Sequence, residues 1–202
     1  MRAADHIDRF AQSPLARWSE APPWALTSMS RAIVAELVAE LKGRADYRIE
    51  GDIAVHVTAT VEAAAILKGP AVIGAHGFIA AGAYVRDGCW LDDNCILGPG
   101  AELKSSFMFA GSKLAHFNFV GDSVLGAGVN LEAGSIIANY RNEKADKRIR
   151  FHHDGRLIDT GVDKFGALLA DGVRLGANAV VAPGAALARG TLVPRLGLVD
   201  QA

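Results

Sequence analysis

The chain has 202 residues, half of them hydrophobic, and a formal net charge of −1. This composition supports one packed domain with a small appendage and argues against a disordered chain. A nearly neutral chain gives no electrostatic reason to expect nucleic acid or an anionic membrane surface as a partner. No segment has the unbroken apolar length of a membrane span, and the charged N-terminus is unlike a secretion signal, so we expect a cytoplasmic protein.

Residues 1–48 are predicted to form a helical cap. Apolar residues at helical spacing predict one helix over 5–12 and a second over 28–42. The pair Pro22-Pro23 separates the two, because proline cannot continue a helix. The simplest interpretation is a cap that covers an open end of the main domain, and the alternative is a helix that docks a partner.

Residues 49–202 follow a different pattern, a repeat of six residues. Aliphatic residues recur at every sixth position from Val55 to Leu103, and a small residue stands two positions before most of them. Neither a helix nor an ordinary strand has this period, which is the signature of a hexapeptide parallel β-helix. Each hexad forms one side of a triangular coil, and three hexads, about eighteen residues, form one coil of the solenoid. The sequence therefore predicts a mainly β fold.

The repeat is shifted in phase and then interrupted. Two five-residue steps, at 103–108 and 120–125, account for the shift. The interruption is an insertion at 141–166, the most charged part of the chain, in which two alternating runs flank Asp154-Gly155. This pattern predicts a β-hairpin or loop that projects from the coil. Such a loop could supply ligand contacts, and a purely solvated excursion is the alternative.

The two cysteines, Cys89 and Cys95, occupy small-residue positions in consecutive hexads. We interpret them as reduced core residues and not as catalytic or metal-binding groups.

The segment 101–140 breaks the hexad period and contains the words GSKLAH and GVNLEAGSIIANY. In combination these resemble the C-terminal acetyltransferase domain of the bifunctional bacterial enzyme that acetylates glucosamine-1-phosphate and then uridylylates it. The resemblance runs from about residue 55 to the end and excludes residues 1–50. It implies a left-handed parallel β-helix, acetyl-coenzyme A as co-substrate, no metal for the transfer itself, and a homotrimer. The uridyltransferase half of that enzyme has no counterpart in this sequence, so uridylylation is not implied.

The resemblance also implies roles for individual residues. His116 matches the general base, and an imidazole that titrates near pH ~6.5 suits the removal of a proton from an amine that attacks a thioester. Arg86 and Lys104 match residues that contact the sugar phosphate. They lie one coil apart, so the two cations could converge on one phosphate. The alternative for this pair is two solvated turn residues.

Further matches concern the acceptor sugar and the coenzyme. Asn130 matches a sugar-contacting asparagine, although asparagine is also a common turn residue. Four residues match the coenzyme site: Ala133, Asn139, Tyr140 and Ala177, the last where the family has a serine.

Two departures affect the acceptor pocket. Phe119 replaces a tyrosine that contacts the substrate in the family, which removes a hydrogen bond worth about 0.5–1.5 kcal/mol. A family lysine that follows the Asn-Tyr pair has only Lys144 or Lys147 as candidate counterparts, because the insertion begins there.

Three functions remain open from the sequence. The first is an acetyl-coenzyme A-dependent N-acetyltransferase acting on an amino sugar phosphate or a sugar nucleotide, as in the synthesis of UDP-N-acetylglucosamine-related cell-envelope precursors. The second is a non-catalytic β-helix that binds a sugar nucleotide or a protein, and the third is a purely structural trimer. If Arg86, Lys104 and His116 share a cleft, the structural alternative fails.

Overall fold

The computed structural model describes all residues, 1–202, and contains a long parallel β-solenoid. In chain order the helices are α1 (Pro23–Ser28) and α2 (Ser30–Glu40). The strands are β1 (Tyr47–Glu50), β2 (Ile53–His56), β3 (Thr60–Val61), β4 (Ile66–Leu67), β5 (Ala71–Ile73), β6 (Phe78–Ile79), β7 (Tyr84–Arg86), β8 (Cys89–Leu91), β9 (Ile96–Leu97), β10 (Glu102–Lys104), β11 (Phe107–Met108), β12 (Lys113–Leu114), β13 (Phe119–Gly121), β14 (Val124–Leu125), β15 (Asn130–Leu131), β16 (Ile136–Ile137), β17 (Arg150–His153), β18 (Arg156–Asp159), β19 (Ala167–Leu169), β20 (Arg174–Leu175), β21 (Val180–Val181), β22 (Ala185–Leu187), β23 (Leu192–Val193) and β24 (Leu198–Val199).

The strands of the solenoid form three sheets, one for each side of the triangular coil. Sheet I has the order β1-β2-β5-β8-β11-β14-β19-β22, sheet II β3-β6-β9-β12-β15-β20-β23, and sheet III β4-β7-β10-β13-β16-β21-β24. Within these three sheets all pairs are parallel except β1 with β2, and β17 and β18 form a separate antiparallel pair. The predicted mainly β fold, a parallel β-helix built from hexads, is confirmed.

The aliphatic hexad residues point inward and form the core of the solenoid. Val85, Leu103 and Val120 lie side by side in sheet III and are fully buried. Both predicted five-residue steps are present, because Met108 and Leu125 lie next to each other in sheet I as the next inward residues. Both steps shorten the same corner, the one between sheets III and I, which is also where several candidate site residues lie.

The first predicted helix, over 5–12, is wrong, and the second is confirmed as α2. Residues 1–18 instead contain three short 3₁₀ turns, at Ala3–Asp5, Phe10–Gln12 and Ala16–Trp18. The Ser13 hydroxyl donates to the Phe10 carbonyl and accepts from the Leu15 N–H, so local side-chain bonds replace helical ones. The Pro22-Pro23 pair does not separate two helices, because α1 begins at Pro23, where the missing N–H costs nothing.

The N-terminal segment lies along the outer face of sheet I, so the predicted cap over an open end of the solenoid is wrong. Helix α2 packs on β5 and β8. Its buried residues join the outward residues of sheet I in a second hydrophobic core, which includes Val72, Trp90, Phe107, Val124 and Leu168. Burial of these large outward side chains supplies the stabilisation, since each contributes roughly 1.5–3 kcal/mol when it leaves water.

The insertion contains the predicted hairpin, formed by β17 and β18. Asp154 and Gly155 at its turn have φ values of 49° and 71°, the left-handed backbone that this turn type requires. The hairpin does not project from the coil as predicted, because it packs on β22 and on the N-terminal segment. Phe151 and the nearby Phe165 are fully buried, and both rings contact Trp24 edge to face at 6.2 and 5.9 Å between ring centres. The alternative of a solvated excursion is therefore wrong as well.

Both cysteines are fully buried in the core of the solenoid. Burial raises the pKa of the Cys89 and Cys95 thiols to about 12. A thiol of such high pKa is a poor nucleophile and metal ligand, which confirms their interpretation as core residues. No helix in the structure has the length and apolar character needed to cross a membrane.

Candidate functional site

The corner between sheets II and III carries His116. In each coil one residue stands two positions after the end of the sheet II strand. In the second and third coils these residues are Ala81 and Pro99. In the four coils that follow they are His116, Ala133, Ala177 and Arg195. Backbone hydrogen bonds join successive coils at this corner. The N–H of Phe117 donates to the carbonyl of Pro99, and the N–H of Gly134 donates to the carbonyl of His116. In the same way the N–H groups of Asn178 and Leu196 donate to the carbonyls of Ala133 and Ala177. We call this line of residues the His116 row.

The ring of His116 is available to a ligand. The side chain is exposed and forms no hydrogen bond with any group of the chain. The turn that carries His116 is fixed by the buried side chain of Asn118, whose Nδ2 donates hydrogen bonds to the carbonyls of Glu132 and Ser135. A free imidazole on a fixed turn can accept a proton from an external nucleophile.

Small side chains follow His116 along the row. Ala133 and Ala177 occupy the same corner in the next two coils, and we call the line of these two small side chains the strip. The strip ends at an ion pair between Arg195 Nε and Glu132 Oε2, 3.0 Å apart, and Glu132 also accepts a bond from the Ala177 N–H. The bond from Arg195 holds the pKa of Glu132 below its ordinary value. Arg195 is 75% exposed, so its guanidinium can exchange this carboxylate for another anion at little cost.

Asn130 lies on the outer face of sheet II, near the strip. It lines an open cavity of about 630 Å³ together with Glu132, Arg174 and Arg195. The structure thus places four of the predicted residues, His116, Asn130, Ala133 and Ala177, on one side of the solenoid.

The corner between sheets III and I carries Arg86, Lys104 and Asn139. Lys104 Nζ lies 2.9 Å from Asp122 Oδ2, and both side chains are almost buried, at 13% and 8% exposure. The Asn139 amide also donates to Asp122. Arg86 contacts two other carboxylates, those of Glu102 and Asp87, each at 2.7 Å. Arg86 and Lys104 are paired neighbours in sheet III, one coil apart as predicted, and within one chain their side chains are directed to different carboxylates.

The two corners lie at opposite edges of sheet III. Lys104 pairs with Gly121 of the next coil in sheet III, and His116 lies five residues before Gly121 in the sequence. At about 3.3 Å per residue an extended chain of this length spans at most roughly 16 Å. Phe119 begins the strand between them, half-buried, and Tyr140 is exposed beside Asn139 with the ammonium of Lys147 5.1 Å from its ring centre. A single chain therefore forms no cleft that holds Arg86, Lys104 and His116 together.

Sequence reasoning missed two partners in these corners, Asp122 and Arg195. Each stands one coil away from a residue that the sequence singled out, Asp122 near Lys104 and Arg195 near Ala177. The period of the solenoid was the signal that could have found them, because residues one coil apart are neighbours in space.

No protein-family model matches the chain. The fold and the hexads define it as a hexapeptide-repeat β-solenoid protein. Among curated proteins it is 39% identical over 180 residues to the bifunctional protein GlmU of Methanococcus maripaludis, covering 88% of this chain and 43% of that protein. It is 39% identical over 88 residues to a bifunctional sugar-1-phosphate nucleotidylyltransferase/acetyltransferase of Sulfurisphaera tokodaii, covering 44% of this chain and 21% of that protein.

The chain thus spans less than half the length of these curated relatives. Among solved structures, AntD, an N-acyltransferase from Bacillus cereus, aligns with a TM-score of 0.36 at 13% identity, covering 73% of this chain and 70% of that one. The resemblance to the bifunctional sugar-1-phosphate enzymes that the sequence indicated is confirmed.

Proposed function

We propose that the protein is an acetyl-coenzyme A-dependent N-acetyltransferase that acetylates the amine of an amino sugar phosphate or a sugar nucleotide. The observation that carries this proposal is the His116 row, in which an unbonded, exposed imidazole is followed by Ala133 and Ala177. The strip of small side chains offers room for an extended ligand beside a base, and Arg195 at its end offers a cation for phosphate.

In the proposed reaction His116 removes a proton from the acceptor amine as its nitrogen attacks the acetyl carbon. The new C–N bond forms, the C–S bond breaks, and coenzyme A leaves as the thiol after it takes up a proton. No covalent intermediate on the protein and no metal is needed. A general base of this kind accelerates the reaction by about 10²–10⁴-fold.

A homotrimer would complete the site. Within one chain the His116 row and the corner with Arg86 and Lys104 are separated by the width of sheet III, so a neighbouring protomer is needed to bring such cations close to His116. The outer faces of sheets II and III expose large apolar side chains that an assembly would cover: Ile66, Ile136, Leu192 and Leu198. In this arrangement Asn130 and Phe119 contact the acceptor sugar, Asn139 and Tyr140 contact the coenzyme, and the supply of acetyl-coenzyme A puts the reaction in the cytoplasm.

A second candidate function is a non-catalytic protein that binds a sugar nucleotide. It is favoured by Phe119, which stands where the resemblance implies a substrate-contacting tyrosine.

The experiment that separates the two is release of the coenzyme A thiol from acetyl-coenzyme A. Glucosamine-1-phosphate and a panel of amino sugar phosphates and amino sugar nucleotides serve as acceptors, and glucose-1-phosphate, which lacks the amine, is the matched control. We expect thiol release that depends on an amine-bearing acceptor. Binding of the panel compounds without any thiol release would contradict the transferase and support the binding protein.

A further inference from the structure

The solenoid has an open apolar end at its first coil. The inward residues of this coil are only half-buried, whereas those of the middle coils are fully buried. They line an open cavity of about 730 Å³ and are Ile53, Val55, Val61, Ala65 and Leu67. The N-terminal segment lies on sheet I and leaves this end uncovered, although an exposed apolar patch of this kind usually marks an interaction site.

Strand β1 forms one rim of this open end. It is the terminal strand of sheet I and pairs only with β2, so its outer edge is free. Glu50 lies opposite Ile53 and Arg48 opposite Val55. Residues directly opposite each other in an antiparallel pair point to the same face, so Arg48 and Glu50 stand on the face of the cavity.

Arg48 and Glu50 are unpaired charges. Both are exposed, and neither side chain forms an ion pair or a hydrogen bond within the chain. Two other charges at this end are engaged: the Glu62 carboxylate accepts the Ala81 N–H, and the ammonium of Lys68 lies 5.2 Å from the ring centre of Tyr84. When two such strands pair antiparallel at their free edges, the arginine of each strand lies opposite the glutamate of the other. The pattern is therefore complementary to itself.

We propose that a second copy of the chain docks on this end, with β1 of one copy antiparallel to β1 of the other. The two-residue turn Gly51-Asp52 makes Glu50 and Ile53 the hydrogen-bonded pair that closes the hairpin, so the N–H and C=O of Ile49 point to the free edge. A two-fold axis at Ile49 then gives two hydrogen bonds between the two copies of this residue. The same axis sets Arg48 opposite Glu50 of the second copy, twice.

The occupant is a second copy because the surface is complementary to itself. A two-fold contact uses the same patch on both molecules, and each open apolar end covers the other. Pairing also removes the free edge of sheet I, which is otherwise a template for uncontrolled strand addition. This inference concerns the end of the solenoid and does not depend on the proposed function.

A charge exchange tests the proposal. The mass of the particle in solution is measured by light scattering after gel filtration for the native chain and for Arg48→Glu, Glu50→Arg and the double variant. Each single variant places two pairs of like charges across the axis, so we expect the mass to fall to half. The double variant restores both opposite pairs, and we expect the native mass to return.

Three outcomes of the mass measurement would overturn the proposal. One is a native particle with an odd number of chains. The second is a mass that neither single variant changes, and the third is a double variant that stays at half mass. Thermal unfolding followed by circular dichroism shows whether each variant is folded. A second readout uses the double variant Arg48→Cys with Glu50→Cys, which is expected to form an intermolecular disulfide under oxidation. Absence of this cross-link in a folded protein also counts against the two-fold contact.

Discussion

Replacement of His116 by asparagine is expected to lower kcat for acetyl transfer by about 10²–10⁴-fold, the contribution of a positioned general base. An amide has a shape close to that of imidazole but takes up no proton at neutral pH. The His116 side chain is exposed and bonds to nothing in the chain, so the fold and the affinity for acetyl-coenzyme A should remain nearly unchanged. The measurement is steady-state thiol release combined with calorimetric binding of acetyl-coenzyme A.

The matched control is His76→Asn. His76 is another exposed histidine at a corner of the solenoid, and its left-handed φ of 56° suits asparagine. It lies between sheets I and II, away from the His116 row. We expect native turnover from this variant. If both variants lose activity equally, or if His116→Asn keeps its native kcat, His116 is not the base.

Replacement of Asp122 by alanine is expected to reduce the free energy of unfolding by about 3–5 kcal/mol, the effect of removing one member of a buried ion pair. The change leaves the almost buried Lys104 ammonium without its carboxylate and the Asn139 amide without its acceptor. Urea unfolding at neutral pH measures the effect.

Asp163→Ala is the control for this change. Asp163 lines the same open pocket as Asp122 but is exposed and has no ion-pair partner. Exposed substitutions of this kind usually change stability by about 0.5 kcal/mol or less. Equal destabilisation by the two variants would show that the Lys104–Asp122 pair does not stabilise the corner.

The solenoid could be predicted because the residues that define it recur at a fixed spacing along the sequence. Inward positions such as Val85, Leu103 and Val120 repeat along the sequence, and a repeat of six has one structural solution. The position of the N-terminal segment could not be predicted in the same way. It depends on outward residues such as Trp90 and Phe107, which stand between the hexad positions and show their role only when all members of sheet I are seen side by side.

The candidate site was predicted in part. The sequence motifs single out residues of the right types, but these residues lie at two different corners. His116 and Ala133 follow strands of sheet II, whereas Lys104 ends one strand of sheet III and Asn139 follows another. The pairing of Lys104 with Asp122 could not be read from the motif. A residue type indicates what a side chain can bind, and only the fold shows which partner is within reach.

The most direct test of the account is the affinity for acetyl-coenzyme A when the His116 row is blocked. Ala133→Trp fills the strip next to His116, and Ala81→Trp places the same side chain at the equivalent corner position two coils away on the other side of the histidine. Calorimetric titration of the native protein and both variants gives the dissociation constants. We predict that Ala133→Trp abolishes measurable binding and that Ala81→Trp binds like the native chain. Native affinity in Ala133→Trp would contradict a coenzyme site along this row.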